Sequence, residues 1–257
     1  MLLLVTQAMP QMREHAHPSL GRLVTPRHCC SMHEHDGLLW AADNDCFQRL
    51  DPDAYVTMLE RLSGAPGRCL FVAVPDVVAD ALATARLFEI WWRALARRGL
   101  PAALVAQDGA EHLGRWLTLV WPRIDAIFLG GSTEWKLGPA AEALAAEAKR
   151  RGKWVHMGRV NSARRIRYAA SIGCDSVDGT KWVRWRDTYL DSGLGLVSDP
   201  VQLRLQTVSR GPLAPSPSAG APASSAPVPS GLRTGAWGPR RASARSEGVF
   251  DEAFRDR

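Results

Sequence analysis

Short, continuous apolar runs alternating with helix-patterned stretches restrict most strongly what this chain can fold into. The runs cover residues 22–25, 38–42, 69–74, 102–106, 126–129, 154–157 and 176–177, and the helical patterns cover 52–62, 78–97, 111–119, 139–150 and 163–171. A strand that is apolar at every position, rather than at every second one, is buried on both faces. Strands of that kind separated by helices form a parallel sheet. Seven or eight such units predict a compact α/β fold, a (β/α)8 TIM-type barrel, since no Gly-rich dinucleotide turn follows the first strand. A doubly wound open sheet is the alternative. The pattern at 78–97 closes on Arg97-Arg98-Gly99, a cationic last turn with a C-terminal glycine, and Asn161-Ser162 reads as the N-cap of the next basic helix.

This rhythm stops near residue 210. Residues 211–239 are mostly Pro, Ala, Ser and Gly, and 240–257 are charged with Val249, Phe250 and Phe254 as the apolar anchors. Such a segment buries too little apolar surface to offset the entropy of ordering. The expected organisation is therefore a barrel domain over 1–209 and a disordered low-complexity tail over 210–257. With 46% hydrophobic residues in 257, the first part can fill a core. The apolar run at 1–5 is too short for a signal peptide or a membrane span, so a cytoplasmic protein with no membrane partner is expected. Five cysteines at irregular spacing do not form a disulfide framework. A net charge of +6 fits a polyanionic partner without specifying one.

Active sites of barrels are built from the C-terminal ends of the strands. Here those ends read Asp43-Asn44-Asp45-Cys46-Phe47-Gln48, Pro75-Asp76, Gln107-Asp108-Gly109, Gly130-Gly131-Ser132, Gly158-Arg159-Val160-Asn161 and Asp178-Gly179-Thr180. One Asp at a strand end is commonly a cap; several strands delivering Asp to one rim suggest chemistry. Two carboxylates facing each other across a sugar can cleave a glycosidic bond, one attacking the anomeric carbon and the other moving protons. A third can accept the N–H groups of a guanine edge. Gln and glycine backbone N–H groups can donate to a purine carbonyl.

In chain order these segments resemble the motifs of the tRNA-guanine transglycosylase superfamily. Asp43 to Gln48 resembles DSGGFQ, with Asp45 and Cys46 in place of its two glycines. Val105-Ala106-Gln107-Asp108-Gly109 resembles VQGG, and Gly130-Gly131 resembles GGL. Gly158-Arg159-Val160-Asn161-Ser162 followed by Gly173-Cys174-Asp175-Ser176-Val177-Asp178 resembles GVGSP followed by GVDMFD. The resemblance implies a base exchange. Asp178 would be the nucleophile, linking covalently to C1′, and Asp43 the general acid/base. Asp76 would bind the base edge, Gln107 and the Gly130-Gly131 backbone its carbonyl, and Phe47 belongs to the same substrate pocket. The incoming base would be a 7-deazaguanine, such as the 7-cyano form.

Members acting on tRNA carry a zinc site of three Cys and one His after the nucleophile. In this sequence no Cys follows Cys174 and no His follows His156. The expectation is therefore no metal and no other cofactor. Among its relatives the chain most resembles the zinc-lacking DNA deazaguanine transglycosylases (the DpdA group), with DNA in preference to tRNA as the polymer. A protein partner or a homodimer is compatible with the sequence.

Between Lys149 and Arg186 there are eleven Lys and Arg against Asp175 and Asp178, with Trp182 and Trp185 interleaved among the last cations. Of these, Arg159, Arg164, Arg165, Lys181, Arg184 and Arg186 are expected to contact nucleic-acid phosphates. Extrusion of the target nucleotide from a duplex would give an aromatic side chain a stacking role. His28, Cys29, Cys30, His33 and His35 match no standard zinc spacing and read as loop residues. Glu134 lies just past Gly130-Gly131, within reach of a 7-substituent. His156 reads as a core histidine, and Trp91, Trp92 and Trp116 as packing residues. Three other functions fit the same residues: a related enzyme acting on RNA, a barrel subunit that binds nucleic acid without catalysis, and a glycosidase of free nucleosides.

Overall fold

Eight parallel strands pair in chain order, and the last pairs with the first to close a barrel. They are β1 (Leu2–Val5), β2 (Leu20–Val24), β3 (Trp40–Ala42), β4 (Cys69–Ala73), β5 (Ala102–Ala106), β6 (Ala126–Leu129), β7 (Trp154–Met157) and β8 (Ser176–Asp178). The helices are α1 (Pro52–Leu62), α2 (Ala81–Ala96), α3 (Gly114–Val120), α4 (Thr133–Lys136), α5 (Pro139–Arg150), α6 (Ala163–Ser171), α7 (Lys181–Arg184) and α8 (Arg186–Ser198). This is a computed structural model, and it describes residues 1–6, 17–27, 37–47, 49–63, 68–184 and 186–198. The chain separates into two units, Met1–Ser209 and Arg210–Arg257. The second, with the expected low-complexity tail, lies outside the described residues. Among the described residues no helix is long and apolar enough to cross a membrane.

The fold is the expected TIM-type barrel, with one strand that the apolar runs left out. The stretch 1–5 reads as an isolated apolar run, yet Leu2–Val5 is β1 and bridges β2 to β8. Four residues at a chain start, followed by no helical pattern, carry too little periodicity to register as a βα unit. Without β1 the sheet would keep two open edges, a liability that closure removes.

Local chemistry explains most element ends. Asp51 caps α1 by accepting from the Ala54 N–H at 3.0 Å, and Pro52 opens the first turn. α2 starts at Ala81 rather than at 78, because Ala79 is left-handed (φ 61°) and Asp80 caps the helix from the Ala83 N–H. The pattern at 111–119 divides into a short 3-10 turn and α3, which opens on Gly114 at φ 51°. Ser162 caps α6 as expected, accepting from the Arg165 N–H. α8 was not expected; Gly193 and Gly195 within it are poor helix formers.

The barrel interior is filled by Leu4, Leu23, Ala41, Phe71, Ala73, Ala103, Val105, Ala126 and Phe128. Small alanines face large Leu and Phe side chains, and Phe71 meets Phe128 edge to face at 6.1 Å. Side chains alternate faces along a strand, so the residue two beyond an interior position also faces inward. Two beyond Ala41, Val105, Phe128, His156 and Ser176 come Asp43, Gln107, Gly130, Gly158 and Asp178. Leu4 is fully buried against this core. Leu4→Ala should cost about 2–5 kcal/mol by emptying volume beside the closing ladder. Urea unfolding of the full chain checks it; an unchanged midpoint would mean that β1 does not close the barrel.

Candidate active site

Asp43, Asp76 and Asp178 reach the same rim from β3, β4 and β8, in three different settings. Asp43 follows β3 directly, its N–H bonded to Val24 O at 2.8 Å. Its carboxylate accepts the Asn44 N–H at 2.8 Å. Burial pushes the Asp43 carboxyl up to about 7, the negative charge of Asp178 pushes in the same direction, and so do Asp76 and Asp45, against the Asn44 bond. Asp43 thus exchanges a proton near neutral pH.

The next residues account for the replaced glycines. Asp45 sits at φ 58°, a left-handed conformation that glycine adopts freely and that Asp tolerates better than most residues. Its carboxylate turns to Arg27, 3.8 Å away, and Cys46 Sγ accepts the Asp76 N–H at 3.4 Å. Both side chains therefore serve the turn. Burial, then the charge of Asp76, raise the Cys46 thiol to about 12, which keeps it neutral.

Asp76 is buried and bracketed by two amides. Asn44 Nδ2 donates to Oδ1 at 2.7 Å and Gln107 Nε2 to Oδ2 at 2.6 Å. Asn44 Nδ2 also donates to Val74 O, and its Oδ1 accepts from the Cys46 N–H. Gln107 Oε1 accepts from the Ala79 N–H at 2.9 Å. Gln107 is therefore engaged at both ends, as a brace for Asp76. Burial still leaves the Asp76 carboxyl raised, because it outweighs the two amide bonds and the charge of Arg159.

Asp178 ends β8. Its Oδ1 accepts from the Arg159 N–H at 3.1 Å and lies 3.1 Å from His156 Nε2. A Cβ on Gly158 would come within 2.7 Å of the Phe128 ring and 3.3 Å of that oxygen, so it is the Phe128 ring that calls for glycine beside the carboxylate. Arg159 follows at φ 61°. Its guanidinium spans the mouth, donating to Gly130 O and to Gly131 O, and lies 4.8 Å over the Phe47 ring. Lys136 Nζ, buried beneath, donates to Gly158 O at 2.6 Å. Burial lowers that amine to about 8, with the charge of Arg159 adding to the effect.

The Gly130 and Gly131 amides both donate to Ala106 O, at 3.0 and 3.2 Å, so in this structure their donors are spent within the barrel. Asp108 anchors the loop that follows, accepting from the Ser132 N–H at 2.6 Å and from Ser132 Oγ. Burial opposes ionisation of Asp108, but the Ser132 bonds prevail and hold its carboxyl below the usual value. Glu134 is exposed on α4.

The basic run divides. α5 runs back against the strands, so Lys149, Arg150, Arg151 and Lys153 fall at the opposite end of the barrel. There Lys149 pairs with Asp175, Arg150 and Arg151 pair with Glu147, and Lys153 donates to Ile124 O. At the site end, Arg164 and Arg167 are exposed and Arg165 is half-buried on α6. Lys181 Nζ lies over the Trp182 and Tyr189 rings. Trp182 is not a stacking platform: it is 2% exposed and donates to Val160 O at 2.6 Å. The aromatic exposed at the mouth is Phe47, at 64%. Gln48, the cluster from His28 to His35, Trp185, and the side chains of Arg184 and Arg186 lie outside the described residues. Among the described residues no group of three or more His, Cys, Asp or Glu is placed to hold a metal ion.

Asn44, Lys136, His156 and Ser176 are site residues that motif comparison passes over. Strand alternation flags two of them, since His156 and Ser176 precede Gly158 and Asp178 by two positions on interior faces. No family model matches the chain, and no curated protein matches it. Among solved structures it is similar to native KDPGal, at 11% identity over 80% of this chain and 95% of the other, with a TM-score of 0.45. It is also similar to an enolase from Pseudomonas fluorescens with bound magnesium, potassium and tartrate, at 15% identity over 67% of this chain and 40% of the other, with a TM-score of 0.39.

The Asp43 environment has a stability signature. Because the folded chain holds this proton up to about pH 7 and the unfolded chain releases it near the usual value of 3.8, the native state binds more protons between those limits. The Asp43 contribution to stability therefore falls as pH rises through that interval. Asp43→Asn should be close to wild type at pH 4 and more stable at pH 8 by up to about 4 kcal/mol, the limit set by the rise from 3.8 to about 7. Urea midpoints at the two pH values decide it; a gap that does not widen with pH rules out the raised carboxyl.

Proposed function

We propose that this protein is a base-exchange transglycosylase that replaces guanine in DNA with a 7-deazaguanine through a covalent Asp178–glycosyl intermediate. The observation that carries the reading is the differentiation of three carboxylates at one rim. Asp178 has one oxygen at the Arg159 N–H and 3.1 Å from His156 Nε2, Asp76 is bracketed by amides, and the Asp43 carboxyl is raised to about 7. Sets of carboxylates whose proton affinities are pushed apart are how glycosyl transfer assigns its nucleophile and its acid.

In this mechanism a carboxylate oxygen of Asp178 attacks C1′. The C1′–N9 bond breaks, its electron pair leaves with guanine, and Asp43 gives the base a proton. The incoming 7-deazaguanine then loses its N9 proton to the Asp43 carboxylate. That nitrogen attacks C1′ and displaces Asp178, so every proton and charge is restored. Asp76, with Asn44 and Gln107 behind it, accepts from the N–H edge of the base. Phe47 is placed to stack on it, which requires the Arg159 guanidinium to leave Gly130 O and Gly131 O. DNA is preferred to tRNA on the resemblance of the strand-end motifs, with no Cys or His among residues 179–257, to the zinc-lacking DNA deazaguanine transglycosylases.

Labelled 7-deazaguanine should enter guanine-containing DNA and not tRNA or free nucleosides. Asp178→Asn should abolish both exchange and the protein–DNA adduct seen on denaturing gels, and Asp43→Asn should slow exchange by about 10²–10⁴-fold. Label entering tRNA alone would make the enzyme an RNA one. Nucleoside cleavage without polymer would make it a glycosidase, and salt-dependent DNA binding with no exchange would make it a binding subunit.

The exposed α6 arginines generate a separate expectation. Arg164→Ala and Arg167→Ala should weaken binding to every duplex alike, each reducing the slope of log K against log salt by about 1. Titrations across a salt series check this, and unchanged slopes would place the polymer elsewhere.

A further inference from the structure

Behind Asp178 lies a buried polar file that no step above uses. Trp154 Nε1 donates to Ser176 Oγ at 2.9 Å, Ser176 Oγ lies 2.8 Å from His156 Nδ1, and His156 Nε2 lies 3.1 Å from Asp178 Oδ1. His156 and Ser176 are both fully buried. The imidazole is clamped between rings, its centroid 4.5 Å from Phe128 and 5.1 Å from Phe71. Packed this way, it has no room to turn.

With a neutral imidazole, the file has one consistent proton arrangement around an ionised Asp178. The indole N–H can only donate, so it takes one lone pair of Ser176 Oγ. An imidazole Nε2 bearing a lone pair would face carboxylate lone pairs across 3.1 Å, which is repulsive. Nε2 therefore carries the proton and donates to Oδ1, leaving Nδ1 as the acceptor of the Ser176 hydroxyl proton. We propose that His156, fixed in the Nε2–H tautomer by Ser176, is the positioning residue that selects which oxygen of Asp178 attacks. The proposal rests on the reading of Asp178 as the nucleophile.

The selection has a physical cause. Oδ1 holds two donors, the His156 Nε2–H and the Arg159 N–H. The bridging oxygen of a glycosyl ester is a poor acceptor, so alkylating Oδ1 would waste both bonds in a buried site. Attack by Oδ2 leaves Oδ1 as the ester carbonyl, which keeps both. When the incoming base displaces Asp178, the returning negative charge is shared with Oδ1, where both donors already stand. His156 thus acts in both halves of the exchange through Asp178, without touching substrate. The same partners explain why a histidine occupies a fully buried interior position of β7 where an apolar residue would fill the space.

The test combines a spectroscopic readout with kinetics on the full chain. In protein labelled with ¹⁵N-histidine, the signal lost in His156→Gln identifies His156. Its nitrogen shifts should report a protonated Nε2 and an unprotonated Nδ1, and Asp178→Asn should move the Nε2 signal. An Nδ1–H tautomer, or an Nε2 signal indifferent to Asp178→Asn, overturns the proposal without any activity measurement. In single-turnover exchange, His156→Leu should slow adduct formation by about 10- to 100-fold, with KM for DNA and base within about 2-fold of wild type. His156→Gln, whose side-chain amide places an N–H where Nε2–H stands, should recover most of that loss. Leu and Gln variants as fast as wild type, or equally slow, overturn the positioning role. Wild-type protein with the expected tautomer but no exchange on any substrate would overturn the transglycosylase reading, and this role with it. The wrong tautomer in an active enzyme removes the His156 proposal alone.

Discussion

Every second residue of a strand faces the barrel interior, and the β1–β8 ladder makes that interior continuous. The rest of the molecule depends on this closure. It is what turns side chains scattered over more than a hundred residues of sequence into one rim. Ala41, Val105, Phe128, His156 and Ser176 fill the barrel, and the next inward positions of the same strands are Asp43, Gln107, Gly130, Gly158 and Asp178. Asp76, one residue past the inward register of β4, joins them from the turn that follows Pro75. The core and the site are therefore consecutive layers of one packing arrangement.

Crowding several carboxylates at a partly closed mouth carries an electrostatic cost, and the partners around each decide how it is met. Asp76 receives an amide on each oxygen, and Asp178 receives two N–H groups on one oxygen. Asp43 is raised first by burial and then by the charge of Asp178, with a single backbone N–H against them, so the excess proton settles there. Burial and these different partners separate three chemically identical side chains into an acid, a nucleophile and a base-edge acceptor in the proposed reaction. The β7 end supplies much of the control. Gly158 leaves room for the Phe128 ring beside the carboxylate, Arg159 turns left-handed to aim its N–H, and Lys136 and Trp182 hold the neighbouring carbonyls.

The apolar runs and the caps made the barrel legible, and the ordered strand-end motifs made the rim legible. β1 was hidden because four residues at a chain start show no period, and α8 because its glycines dilute the helical signal. The basic run from Lys149 to Arg186 reads as one surface only along the chain. Reversal of direction at each helix puts Lys149 to Lys153 at the far end of the barrel, where Asp175, Glu147 and the Ile124 carbonyl engage them. Trp182, set among cations, reads as a stacking residue, yet burial and its bond to Val160 O make it a core residue.

Sequence by itself determined the strand–helix alternation, the barrel class, and which residue types arrive at the strand ends, because periodicity and capping are local properties of the chain. Only the tertiary structure decided what those residues do to one another. That His156 reaches Asp178, that Gln107 braces Asp76, and that Asp43 is the carboxyl left to hold a proton all depend on neighbours brought in by other strands. Hydrogen bonding and desolvation act over a few ångströms, and in a closed barrel those ångströms are crossed between strands far apart in sequence.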